Sequence, residues 1–120
     1  MGFDAWFFAR LDYQDKNKRM NDLALEWVWM PNPESFGTDT KIFTHVTYEQ
    51  YGPPPNFNFD IFGPETPQWV NNEKSRDFNA EQRAQELINY LHGRAEHYAT
   101  DEIFVLFGED FQYINAHQNY

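Results

Sequence analysis

Five apolar residues, Ile103-Phe104-Val105-Leu106-Phe107, run without a break into Gly108 and then into Glu109 and Asp110. A short continuous apolar run bounded by a turn residue predicts a strand buried on both faces. Residues 5–9, Ala-Trp-Phe-Phe-Ala, repeat that pattern, and Arg10 follows at once. Residues 25–30 alternate in character and are rich in strand-forming rings. Pro31 ends them, because proline cannot donate to a ladder. Residues 42–46 predict another short strand, and residues 57–62 alternate apolar with polar until Gly63-Pro64 breaks the pattern. Two stretches have helical spacing. In 15–25, Met20, Leu23 and Ala24 share a face. In 79–98, Ala84, Leu87, Ile88, Leu91 and Tyr98 do so, with Asn79 placed to cap and Gln82 in the capping-box position.

Between these elements lie polar loops. Residues 33–41 are rich in Gly, Thr, Ser and Asp, and residues 64–76 are irregular with Trp69 as their one large anchor. The loop at 48–55 contains Tyr51-Gly52-Pro53-Pro54-Pro55. A triple proline favours a stiff extended segment, which would hold Tyr51 in a fixed place. Strand, helix, strands with long loops, helix, strand is an order that predicts an α/β fold with mostly parallel strands. The carboxyl ends of parallel strands face one edge, and the loops there carry the chemistry. Arg10, Tyr51 and Asp110 would meet at that edge. Arg10 can pair with a carboxylate or fork its hydrogen bonds onto a ligand. Asp110 is the candidate general acid/base, against the alternative of an acid in a solvated turn.

Composition narrows the partners. The chain has 120 residues, 41% of them apolar, and Phe, Tyr and Trp alone reach 19%. So many rings predict a bulky core or a surface that stacks on flat ligands. The net charge of -10 repels phosphate backbones, so no nucleic acid is expected as a partner. Lys16-Asn17-Lys18-Arg19 is the densest basic patch and reads as a solvated helix face, so no membrane surface is expected either. No apolar run approaches the roughly 20 residues that span a bilayer. The start, Met1-Gly2-Phe3-Asp4, lacks the basic opening of a secretory leader. Without cysteine there is no disulfide scaffold or thiolate metal site. His92 and His97 are five apart, so they do not share a helix face as paired metal ligands would. No Gly-rich phosphate loop, serine nucleophile elbow or His-Glu-x-x-His motif occurs.

Three ordered matches add a resemblance. Met1-Gly2-Phe3-Asp4 with Arg10-Leu11-Asp12-Tyr13-Gln14-Asp15-Lys16 is the first. Phe43-Thr44-His45 followed by Tyr51-Gly52-Pro53-Pro54 is the second, and Gly108-Glu109-Asp110-Phe111-Gln112-Tyr113 the third. Together they resemble the lysosomal-type α-mannosidases of glycoside hydrolase family 38, over essentially the whole chain. The resemblance implies a retaining, zinc-dependent exo-glycosidase on an α/β-barrel-like domain, acting on mannose-containing oligosaccharides in a lysosome or vacuole. It aligns Asp110 with the family's general acid/base. It also aligns Arg10 and Tyr51 with residues that contact the sugar. The acid must hold a proton when substrate arrives, and a water-poor cleft lined by Phe111 is expected to help it do so.

The resemblance also implies what the chain does not carry. The family's His-x-Asp zinc pair, its zinc-bound aspartate nucleophile and a later histidine ligand have no counterpart, since none of the four histidines is followed by x-Asp. Residues 1–120 are therefore expected to be part of a catalytic domain incomplete at both ends. The resemblance implies zinc as a cofactor of the full-length parent and the remainder of the domain as a partner. The isolated chain is expected to lack mannosidase activity, to bind zinc poorly and to aggregate through unpaired strand edges. Many lysosomal members carry a cysteine pair where Asn58 and Gly63 stand here. The alternative is a stand-alone carbohydrate-binding module that uses Trp27, Trp29, Trp69 and the tyrosines as stacking platforms. A third reading, an acidic interaction domain, accounts for the charge alone.

Overall fold

Residues 2–61 and 66–119 are described by the structure, a computed structural model. Gly63, and with it the expected break at Gly63-Pro64, lies outside the described residues. The chain divides into two compact units, Met1–Gln50 with Arg94–Ile103, and Tyr51–Gly93 with Phe104–Tyr120.

The first unit holds three strands, β1 (Ala5–Phe8), β2 (Glu26–Trp29) and β3 (Ile42–Val46). It also holds two helices, α1 (Tyr13–Asn21) and the single turn α2 (Pro33–Phe36). The class is α/β, but the sheet is mixed. β3 is central, with β1 parallel on one side and β2 antiparallel on the other. The connectivity explains the mixture. The run from β1 to β3 is long enough to cross over, whereas β2 and β3 are joined by a loop that only has to turn back.

α1 begins two residues earlier than its apolar spacing predicts, because Asp12 caps it. The Asp12 carboxylate accepts the backbone N–H groups of Gln14 and Asp15 at 3.0 and 3.1 Å. Asp15 lies in the first turn and Lys18 and Arg19 in the last, which suits the helix dipole. Just beyond its end, Leu23 adopts a left-handed backbone at φ 53°. The 33–41 loop is not wholly irregular. Asn32 accepts the Ser35 N–H at 3.0 Å and Pro33 opens the turn, so one turn of helix forms before Gly37 ends it at φ 75°.

Side-chain alternation puts Trp6, Phe8, Trp27 and Trp29 on one face of the sheet. Trp6 lies 4.8 Å from Phe8 and 5.7 Å from Trp29, centroid to centroid. The core is Leu25, Val46 and Tyr98, with Phe8, Leu11, Met20, Trp27 and Tyr48 packed against it. On the other face His45 is only 1% exposed. Its Nδ1 lies 2.8 Å from Glu26 Oε1 across the β2–β3 ladder, and its ring stacks on Tyr98. β1 differs from expectation. It is an edge strand, and Ala5, Trp6 and Phe7 are exposed rather than buried.

The second unit contains most of α3 (Ala80–Ala95) and ends with the short α4 (Ala116–Asn119). The expected cap works differently. The Asn79 side chain ties down residues 68–70, accepting from Val70 N–H and donating to the Gln68 carbonyl, both at 2.8 Å. Gln82 reaches forward to Glu86 instead of back. The buried stripe of α3 carries Arg83 and Arg94, while Ile88, expected in the core, is exposed. Arg83 lies 4.3 Å over the Phe57 ring and donates to the Asn56 carbonyl and to Glu86. Arg94, counted with the first unit, lies over Tyr48 and pairs with Glu49 at 2.6 Å.

The largest correction concerns residues 103–107. They form no strand, and Phe104 and Phe107 are 46% and 38% exposed. A continuous apolar run becomes a buried strand only where neighbouring strands take up its backbone groups, and no ladder among the described residues does so.

Two outcomes follow for the intact protein. Asp12→Ala removes the cap of α1 and should cost about 1 kcal/mol, read as a lower denaturant midpoint at unchanged slope. Lys16 donates to the Ala9 carbonyl at 2.8 Å and the Glu49 carbonyl at 2.5 Å. Burial pushes its ammonium below the usual 10.5, with Glu49 opposing and Arg94 assisting. The folded chain therefore releases this proton before the unfolded chain does, and the unfolded state binds more protons between the lowered value and 10.5. Stability attributable to position 16 should rise with pH through that window. Unfolding curves of wild type and Lys16→Met should show the wild type gaining on the variant as pH approaches 10.5.

Candidate functional site

Of the three residues picked out by sequence, the structure joins two. Tyr51 and Asp110 are 59 positions apart, and the Tyr51 hydroxyl donates to Asp110 Oδ2 at 2.9 Å. Both belong to the second unit, and Arg10 belongs to the first.

The loop at 51–60 is rigid for local reasons. Pro53, Pro54 and Pro55 restrict its backbone. Asn56 then turns it in a left-handed conformation at φ 64°, where the Arg83 guanidinium holds the Asn56 carbonyl. Phe57, under that guanidinium, is almost fully buried. Asn58 and Asp60 are buried as well, whereas Phe59 and Ile61 face outward. Asn58 Oδ1 accepts the Asp60 N–H at 2.9 Å.

The acid-bearing segment closes onto this loop through several contacts. Gly52 lies against the Glu109 carboxyl group, whose carbon is 3.7 Å from where a Cβ would stand. The Phe59 and Phe107 rings stack with centroids 6.0 Å apart. The Tyr113 hydroxyl accepts the Phe59 N–H at 3.3 Å. The Tyr113 N–H in turn donates to the Asp60 carboxylate. Between these contacts the chain makes a tight turn, with the Gln112 N–H on the Glu109 carbonyl at 3.3 Å. Phe111 and Tyr113 both adopt left-handed backbone, at φ 62° and 57°. Large side chains rarely enter that region, and each such residue carries a local cost.

Two expectations about Asp110 change. It sits in this turn rather than at the end of a buried strand, and it is exposed. Phe111 does not line a cleft over it, being 89% exposed. The left-handed turn accounts for both, because it swings the Phe111 ring out to solvent. Chemically, the arrangement is an exposed carboxyl group with one oxygen held by a phenol.

Arg10 follows β1 and is exposed. It lines an open concavity of about 590 Å³ with Leu11, Tyr13, Lys16 and Tyr48. Among the described residues no three of His, Cys, Asp and Glu come together as a metal site. No helix among them is long and apolar enough to cross a membrane. His45 is engaged with Glu26 and Tyr98.

Asp60, Tyr113 and Arg83 escaped the sequence reading. The one signal they left was a carboxylate inside the aromatic run at 57–62, where a buried charge needs partners.

Comparison with known proteins places these residues in a context. The description "Glycosyl hydrolases family 38 N-terminal domain" matches residues 1–120. Lysosomal alpha-mannosidase of Homo sapiens is 36% identical over 116 residues, covering 97% of this chain and 11% of that protein. Alpha-mannosidase of Canavalia ensiformis is 35% identical over 113 residues, covering 94% and 11%. Lysosomal alpha-mannosidase of Dictyostelium discoideum is 34% identical over 124 residues, covering 100% and 11%. The chain thus spans about a tenth of the length of these relatives.

Proposed function

The chain belongs to the glycosyl hydrolases family 38 N-terminal domain family, and on that footing we propose that it is a segment of the α/β-barrel-like catalytic domain of a retaining α-mannosidase. It supplies the general acid/base, Asp110, and two sugar-contacting residues, Arg10 and Tyr51. The observation that supports this most is the 2.9 Å hydrogen bond between Tyr51 and Asp110. The resemblance picked these two residues from distant parts of the chain, and they make contact.

In the proposed reaction Asp110 gives its proton to the glycosidic oxygen as the bond to the anomeric carbon breaks. The leaving alcohol departs neutral. Asp110, now a carboxylate, removes a proton from the water that releases the sugar from the nucleophile. Tyr51 keeps the carboxyl group oriented through both half-reactions. The guanidinium of Arg10 offers a planar pair of donors to sugar hydroxyls or to the nucleophile's carboxylate. The nucleophile and the ligands of the zinc are supplied from outside this segment. Terminal α-linked mannose of oligosaccharides is the substrate. A lysosomal or vacuolar setting is proposed from the names of the relatives.

The test uses the full-length polypeptide that carries these residues. General acid catalysis contributes roughly 10²–10⁴-fold, and it matters most for a poor leaving group. Asp110→Asn should therefore lower kcat/KM on an alkyl α-mannoside by about that factor, while a dinitrophenyl α-mannoside loses far less in the bond-breaking step. Equal losses on the two substrates would remove Asp110 from the acid role. The isolated 120-residue chain should show no turnover of an aryl α-mannoside with added zinc.

A further inference from the structure

Asp60 has no part in the proposed proton transfers, yet it is a nearly buried carboxylate at the point where the two loops of the second unit meet. Its oxygen accepts the backbone N–H of Tyr113, three residues past Asp110. Tyr113 returns the contact one residue earlier, its hydroxyl accepting the Phe59 N–H at 3.3 Å. Tyr113 therefore grips residues 59 and 60 from both its backbone and its side chain. It does so with φ at 57°, a conformation its side chain disfavours, and Phe111 shares that strain at 62°. Within residues 109–113 the Gln112 N–H on the Glu109 carbonyl closes the turn. From outside them, a buried acceptor fixes the Tyr113 N–H.

We propose that Asp60 is a positioning residue for Asp110. By holding the Tyr113 N–H it locks the left-handed turn of residues 111–113 and so fixes where the Asp110 carboxyl group meets the glycosidic oxygen. This rests on the acid role assigned to Asp110. The chain of support is continuous within the unit. Arg83 fixes Asn56 and Phe57, the short stretch to Asp60 follows with Asn58 Oδ1 on the Asp60 N–H, and Asp60 fixes Tyr113. Tyr51 then meets Asp110 from the start of the same loop. Asp60 itself neither touches substrate nor transfers a proton.

A misplacement of about 1 Å in a reacting group can cost on the order of 10²-fold. In the full-length polypeptide, Asp60→Ala should lower kcat/KM on an alkyl α-mannoside about 10–100-fold more than on a dinitrophenyl α-mannoside. Asp60→Asn keeps an oxygen that can accept the Tyr113 N–H, so it should restore most of the loss. Tyr113→Phe, which removes only the contact to the Phe59 N–H, should shift the same ratio in the same direction but less. This last variant decides the matter if the alanine chain does not accumulate in folded form.

Equal losses on both substrates, or no recovery with asparagine, would overturn the positioning role. The Asp110→Asn measurement separates the two proposals. If Asp110→Asn spreads the two substrates apart and neither Asp60→Ala nor Tyr113→Phe does, the acid assignment stands and the Asp60 role falls. If Asp110→Asn does not spread them, both fall together.

Discussion

A left-handed backbone at two aromatic residues in a row of three must be held by something else. Such conformations cost of order 1–3 kcal/mol each. On Tyr113 the second unit sets a hydrogen bond from its N–H to the Asp60 carboxyl group. It adds a neutral one worth about 1 kcal/mol and a ring pair worth about 0.5–1.5 kcal/mol. These contacts are of the same order as the cost of the turn. The clasp on Tyr113 lies three residues past Asp110, whose carboxyl group accepts from Tyr51.

Arginine carries the other half of the support. On α3 the buried positions are Arg83 and Arg94, each laid over an aromatic ring and each bonded to a loop. A guanidinium can do this because its flat face accepts a ring while its edge donates. Lysine could not replace it without losing one of the two contacts. Each arginine acts within its own unit. Arg83 fastens Asn56 and Phe57 in the second, and Arg94 fastens Tyr48 with Glu49 in the first.

Local pattern revealed the elements whose cause is local. β3 occupies the five residues expected to form a short strand, and β2 stops short of Pro31 as proline requires. α1 moved towards the N-terminus because the capping carboxylate of Asp12 outweighs apolar spacing in setting where a helix begins. Residues 103–107 were misread for a nonlocal reason: apolar character records a tendency to be covered, not the presence of a partner strand. Ile88 departs from expectation because helical periodicity assumes that apolar residues take the covered face. An arginine stacked on Phe57 takes it instead. Tyr51 and Asp110 were grouped by an expected row of parallel strand ends and aligned with site residues by family resemblance, and they meet although residues 103–107 form no strand. Asp60 and Tyr113 were illegible because the donor is a backbone N–H and the decisive variable is φ, and neither is written in side-chain identity.

An exposed acid looks at first like a poor catalyst, since water competes for its hydrogen bonds. Orientation weighs more than burial at this stage. A group held in reacting geometry can contribute far more than one merely kept dry. Tyr51 donates to one oxygen of Asp110, and the Asp60 carboxyl group accepts the N–H of Tyr113 three residues on; under the proposed acid role these contacts would give the remaining oxygen a direction. Water can be displaced by the sugar when it arrives, as ligand closure does in many sites. Direction cannot be supplied by the substrate in the same way. A chain that fixes the carboxyl group before binding has already met the requirement that the substrate cannot.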